Sequence, residues 1–366
     1  MKINVRHSNH WFGLCILAVA VLLMLTACTD DPDDSTRRDR QLRLLSVGRT
    51  DDGIATRTAE DGSGIYVYIT NGASGVSSQG EFTYDGDNTR WNNQGLAVDE
   101  NKVYYMYGYM PAAVAGSCSI EVPGGESSYA DGAVLKLNGL PVFTDQDICV
   151  IVGVKRVTDD TDRTITEADD GNYRYASGIA SENYLNLLMA HLYTKLEVNF
   201  SVDAEYAALR KIHVTKVELT STYDQTVNAT VTLQSGHKGL RGQVDYSDPV
   251  DPAPEPLTET AYEYKDGDDV NYLTATPATL AQVYCPHCLY DGSGTRFTIK
   301  STYDVYDSKG NLIREGCTAT NKLQVQDMAM IAPGVNFKLS LAVTPTYLYM
   351  LSDPDLDNPT VEVKSE

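Results

Sequence analysis

Residues 282 to 291 read QVYCPHCLYD and hold the chain's closest cysteine pair, Cys285 and Cys288, with Pro286 and His287 between them. That inner sequence is the one used by strong thiol oxidases, whose first cysteine sits at a helix N-terminus where the dipole lowers the thiolate pKa. Here the pair runs into LYDGSGTRFTIK, and Asp291-Gly292-Ser293-Gly294 breaks any helix within a turn. A structural zinc would add His287 or Cys317 to the two cysteines, but it ordinarily draws on a second spaced pair, which the sequence lacks. The stretch therefore reads as a strand-edge turn whose cysteines are unbonded or loosely joined to each other.

Other candidate chemistry is thinner. Asp353, Asp355 and Asp357 have calcium-loop spacing, yet the sixth position is Asn358 and the twelfth Lys364. His191, His213 and His237 stand outside any HExxH or nucleophile-elbow pattern, and His191, in MAHLY, reads as packed. No catalytic residue, metal or cofactor is expected, and the protein is not expected to be an enzyme.

The elements around these residues are strands. Leu196, Val198, Phe200 and Val202 alternate with Lys195, Glu197, Asn199 and Ser201, the period of a half-buried strand. The same period recurs in Ile65-Val67-Ile69, Ile148-Val150-Val152-Val154, Val227-Ala229-Val231-Leu233 and Val335-Phe337-Leu339-Leu341-Val343. DGDN at 85 to 88, SKGN at 308 to 311 and APG at 332 to 334 supply turns. Helix is expected only over 204 to 211 and, more weakly, 182 to 190. The class is all-β with sandwich architecture.

The first residues describe an address. Lys2 and Arg6 precede the apolar run from Trp11 to Leu25, which has secretory-signal length and is short for a bilayer span. It ends in Leu25-Thr26-Ala27-Cys28, which resembles the lipobox of bacterial lipoproteins, implying acylation of Cys28 and attachment to a membrane face. The polar, acidic TDDPDDSTRRDR that follows reads as a tether. Over all 366 residues the net charge is −21, which disfavours nucleic acid and anionic lipid as partners. Tyrosine dominates the aromatics, 24 against 6 Phe and 2 Trp, as suits half-buried strand faces. Five cysteines lie beyond Cys28, an odd number that argues against a complete disulfide framework.

Several blocks then occur in order: Trp91 after a Tyr-Asp-Gly turn, YYMYGYMP at 104 to 111, LMAHLYTKLEVNFSV at 188 to 202, IHVTKVEL, and APGVNFKLSLAV at 332 to 343. Together they resemble the fimbrillins, pilus subunits exported as lipoproteins, over nearly the whole chain from about residue 45. The resemblance implies two tandem transthyretin-like β-sandwich domains behind the lipoprotein signal peptide. The expected division is a signal peptide at 1–27, a tether and removable first strand at 28–57, and domains at 58–190 and 191–366. The proline-rich 248–257 becomes a loop of the second domain.

It further implies that an arginine-specific protease cuts after the first strand, between Arg57 and Thr58 or, as second choice, Arg49 and Thr50. An extended C-terminal segment of another subunit then fills the groove. Tyr347, Tyr349 and Leu351, or Val361 and Val363, are the expected donor residues. The terminal Ser365-Glu366 departs from the bulky ending common in the family. Expected partners are other fimbrial subunits, the outer membrane through the lipid on Cys28, and a host or bacterial surface ligand; the expected location is the outer membrane and the fimbrium. The alternative is a surface-exposed glycan-binding lipoprotein that does not polymerise, presenting tyrosines such as those at 104 to 109 and 347 to 349.

Overall fold

Alternating apolar residues and short polar turns fold into strands throughout the computed structural model, which describes residues 41–50, 63–71, 75–122, 129–179, 182–221, 225–247, 257–287, 297–322 and 332–343. In chain order the strands are β1 (Arg43–Arg49), β2 (Gly64–Thr70), β3 (Val76–Asp85), β4 (Arg90–Gln94), β5 (Val103–Met110), β6 (Ser117–Glu121), β7 (Gly132–Pro141), β8 (Cys149–Val157), β9 (Arg174–Ala176) and β10 (Tyr184–His191). Then come β11 (Thr194–Val202), the helix α1 (Ala204–Leu209), β12 (Arg210–Ser221), β13 (Thr226–Gln234), β14 (Val244–Ser247), β15 (Thr258–Glu263), β16 (Ala278–Cys285), β17 (Phe297–Asp307), β18 (Leu312–Lys322) and β19 (Asn336–Val343). The chain is all-β, as its periodicity indicates. The signal peptide, Cys28, Arg57, Thr58, Cys288 and every expected donor residue lie outside the described residues.

An eight-stranded sheet runs β1-β10-β8-β5-β2-β3-β4, with β9 added beside β5. The others are β16-β11-β19, β15-β12-β17-β18 and β14-β13-β7-β6. The expected division after residue 190 falls where β10 gives way to β11, which lies in another sheet. One sheet takes strands from both sides of that point, because β13 pairs antiparallel with β7 from Thr226↔Pro141 to Gln234↔Gly132.

The large sheet is apolar on both faces. Ile65, Val67, Met106, Ile151 and Met189 fill one cluster, while Tyr68, Tyr107, Val150, Val152 and Leu188 face the larger one shared with the other sheets. This two-sided burial corrects the expectation of helix over 182 to 190: those residues lie largely in β10, flanked by β1 and β8. A strand buried on both faces loses its apolar-polar alternation and reads as a continuous apolar run. It also corrects the idea of a tyrosine platform at 104 to 109, since Tyr104, Tyr107 and Tyr109 are buried.

The helix expected over 204 to 211 is realised as α1, whose first turn is capped by Asp203 accepting from the Glu205 and Tyr206 amides. At the SKGN turn the Asp307 carboxylate accepts from the Lys309 and Asn311 amides, both at 2.8 Å, and closes the β17–β18 hairpin.

Backbones approach closely inside the large sheet. A Cβ on Gly108 would lie 2.1 Å from the Tyr66 carbonyl oxygen and 2.9 Å from Ile151 Cδ1. We expect Gly108→Ala to cost about 1–3 kcal/mol by overpacking, read as a lowered urea midpoint. An unchanged midpoint would show that β2 and β5 can part without penalty.

Candidate functional site

All strand pairings among the described residues are antiparallel except two, and those two are made by the first and last strands. β1 lies parallel to β10, from Arg43↔Tyr184 to Arg49↔Met189. β19 lies parallel to β11, from Lys195↔Asn336 to Val202↔Val343. Each occupies the end of its sheet.

Just ahead of β1 the chain bridges to the residues that follow β4, at the other end of the sheet. The Leu42 amide donates to the Leu96 carbonyl at 3.3 Å, and Asn93 Nδ2 donates to the Leu42 carbonyl at 2.8 Å. The Leu42 and Leu44 side chains, 1% and 4% exposed, plug the smaller apolar cluster. Their burial contributes on the order of 1.5–3 kcal/mol each. Midway, Ser46 Oγ donates to Asn186 Oδ1 at 2.8 Å, joining β1 to a fully buried amide of β10.

The far end of β1 is fixed by charge. Arg49 Nη1 donates to Asp147 Oδ2 at 2.5 Å, with the two side chains only 10% and 8% exposed. The other oxygen of Asp147 lies 2.8 Å from His191 Nδ1 and accepts from the Cys149 thiol at 3.5 Å. Just beyond, the buried Thr50 amide donates to the Met189 carbonyl at 2.9 Å. Burial alone would push the Asp147 carboxyl up, but the His191 hydrogen bond and charge, with the Arg49 guanidinium behind them, hold it below its ordinary value of 3.8.

A depressed carboxyl is protonated first in the unfolded chain. The stability it contributes is therefore present above pH 3.8 and is lost as pH falls through the folded value. Asp147→Asn is expected to flatten that acid limb in urea unfolding compared at pH 6 and pH 3. Equal slopes in the two proteins would show that Asp147 does not set the acid limb.

Arg49 is the last residue of β1 and Thr50 follows it, and both are engaged in the fold. Cys285 ends β16 and is fully buried opposite Thr194, so it is not the exposed, helix-capping thiol an oxidase needs. His191 is indeed packed, yet it also pairs with a carboxylate. His213 is buried with its ring edge-on to Tyr264, and burial pushes its pKa down. The cluster of Arg49, Asp147, Cys149 and His191 was not foreseen; the available signal was a lone Asp two residues before a strand cysteine.

At β19, Glu197 of β11 accepts from Lys195 at 3.0 Å and from Asn336 at 3.1 Å, and lies 3.6 Å from the Lys338 ammonium. Phe337, Leu339, Leu341 and Val343 pack partly buried against the larger cluster. This strand is thus less completely buried than β1.

No protein-family model matches the chain, and no curated protein matches it. Among solved structures it is similar to a fimbrial protein from Bacteroides vulgatus, at 11% identity and TM-score 0.48, covering 83% of this chain and 95% of that one. It is also similar to a candidate cell adhesion protein from Bacteroides fragilis, at 12% identity and TM-score 0.37, covering 84% and 94%. A third likeness is to candidate polysaccharide-binding proteins from Bacteroides thetaiotaomicron, at 10% identity and TM-score 0.32, covering 75% and 79%. The similarity is thus to Bacteroides fimbrial and adhesion-type structures, the type that the sequence blocks resemble.

Proposed function

We propose that this protein is the precursor of a fimbrial subunit, exported as a lipoprotein through Cys28 and assembled by strand exchange after its first strand is removed. The observation that carries this reading is β1 itself. It is a terminal edge strand, paired in parallel, that plugs an apolar core with Leu42 and Leu44. After a cut in the segment that follows, only non-covalent contacts would keep it there. A sheet that loses such a strand presents unpaired backbone groups over bare apolar surface, which a segment of another subunit can satisfy.

Of the two cutting points we favour Arg57 over Arg49, because Arg49 is engaged by Asp147 and the next amide by Met189. The donor is the C-terminal segment carrying Tyr347, Tyr349 and Leu351 or Val361 and Val363. On this reading the role is structural and adhesive rather than enzymatic, the partners are other fimbrial subunits, and the location is the outer membrane and the fimbrium.

The N-terminal residue of the protein recovered from cell surfaces tests the proposal. Thr58, or Thr50, is expected for a polymerising subunit; recovery of acylated Cys28 alone would count against it.

The second reading, a glycan-binding surface lipoprotein, is favoured by one feature. A cleft of about 390 Å³ at the β1–β4 seam is lined by Arg43, Arg90, Trp91 and Asn92 among others, offering an aromatic face beside polar donors. Glycan-array binding by monomer, lost on Trp91→Ala, with no polymer after arginine-specific cleavage, would establish it instead.

A further inference from the structure

Cys149 and His191 face each other as register partners on β8 and β10. Asp147 precedes Cys149 by two residues, the strand spacing that returns a side chain to the same face. Their donor atoms make a triangle: His191 Nδ1 to Asp147 Oδ1 is 2.8 Å, Cys149 Sγ to the same oxygen 3.5 Å, and Cys149 Sγ to His191 Nδ1 3.6 Å. Zinc held tetrahedrally at about 2.0–2.3 Å from N, O and S ligands sets such donors roughly 3.3 to 3.6 Å apart. Two edges of the triangle already fit, and the short one is a hydrogen bond that a cation would replace.

We propose that Asp147, Cys149 and His191 form a binding site for a zinc-type divalent cation, with its fourth position open to another ligand. Thiolate and imidazole together select a borderline-soft metal, whereas calcium and magnesium demand an all-oxygen shell. Arg49 supplies the support that a ligating carboxylate needs: by holding Asp147 Oδ2 it turns Oδ1 toward the cation position.

The protons balance. Cation entry releases the Cys149 thiol proton to solvent, and His191 gives up its Nδ1 proton, to solvent from the imidazolium or to Nε2 from the neutral ring. Nε2, buried without a hydrogen-bond partner among the described residues, is the nitrogen left protonated in either case. The same geometry excludes a cysteine-protease arrangement, in which the carboxylate and the thiol would sit on opposite ring nitrogens; here both face Nδ1, and Cys149 is fully buried. The proposal does not rest on strand exchange, although departure of β1 would take Arg49 away from Asp147.

Cobalt(II) titration of the reduced full chain tests it, followed by displacement with zinc. A saturable thiolate-to-cobalt charge-transfer band at one equivalent per chain is expected, with zinc raising the melting temperature. Cys149→Ser and His191→Ala should abolish the band, and Arg49→Gln should weaken affinity roughly 10- to 100-fold while keeping it. The double variant Cys285→Ser/Cys288→Ser should retain it. The proposal is overturned by a folded, reduced wild-type chain that gives no saturable band, by a band that survives in Cys149→Ser, or by one that vanishes with the Cys285/Cys288 pair. The wild-type result decides even if a variant fails to fold.

Discussion

Replacing Leu42 and Leu44 together by alanine is expected to detach β1 and bring the protein close to unfolding. Each leucine is almost wholly buried in the smaller apolar cluster, and a buried Leu→Ala change costs about 2–5 kcal/mol. The two lie on one face and share neighbours, so their costs need not add simply. Even the lower bound of two such losses, about 4 kcal/mol, is a large part of the 5–15 kcal/mol that holds a typical domain folded. Urea unfolding measures this.

A synthetic peptide of residues 41 to 50 with both leucines intact, added to the double variant, separates two meanings of the result. Recovery of the unfolding midpoint in proportion to peptide concentration is expected if the groove accepts a strand supplied from outside. A midpoint that peptide cannot move would mean that β1 is ordinary core, not an exchangeable element.

The second large effect concerns the lock at the other end of β1. In the folded chain an arginine-specific protease is expected to cut after Arg49 far more slowly than after Arg57. A protease must draw an extended segment into its cleft with the arginine side chain free, and Arg49 meets neither requirement: its guanidinium is held by Asp147 and the Thr50 amide by Met189. Cutting there waits for local opening. Asp147→Ala leaves Arg49 and His191 without their shared carboxylate, a change that costs about 3–5 kcal/mol for a buried pair. At 1.4 kcal/mol per factor of ten, the opened fraction rises by roughly two to three and a half orders of magnitude, and cleavage at Arg49 should rise with it.

A time course of N-terminal sequencing reads the effect. Arg210 at the start of β12, in another sheet, serves as the control for general loosening. Equal rates at Arg49 in the two proteins would show that the ion pair does not guard the bond.

How much of this was legible in the sequence depended on burial geometry. Strands with one apolar face announced themselves: β13 alternates buried and half-buried positions over nearly its whole length, and the turns at 85 to 88 and 308 to 311 fell where Asp85 and Asp307 bind the backbone. Leu42, Leu44, Leu45 and Val47, ahead of an arginine, form an apolar run in the sequence where β1 lies. β10 was misread because its neighbours bury both faces and erase the period of two.

Long-range pairing left no local trace. Nothing near residue 135 indicates that β7 is to pair with β13, some ninety residues on. The polar cluster was hidden for the same reason, since Arg49 and Asp147 lie 98 positions apart and Asp147 and His191 44 apart. His191 looked like packing, and by burial it is. Only the fold shows what it is packed against.

The exchange of β1 is tested most directly by the mass of the folded full chain before and after arginine-specific cleavage, followed by light scattering with the released peptide quantified. The 41–50 strand is expected to leave on the released peptide and the remaining chain to assemble into a ladder of increasing mass. A monomer that persists after complete cleavage, whether it keeps the strand or stays soluble without it, would contradict exchange of β1.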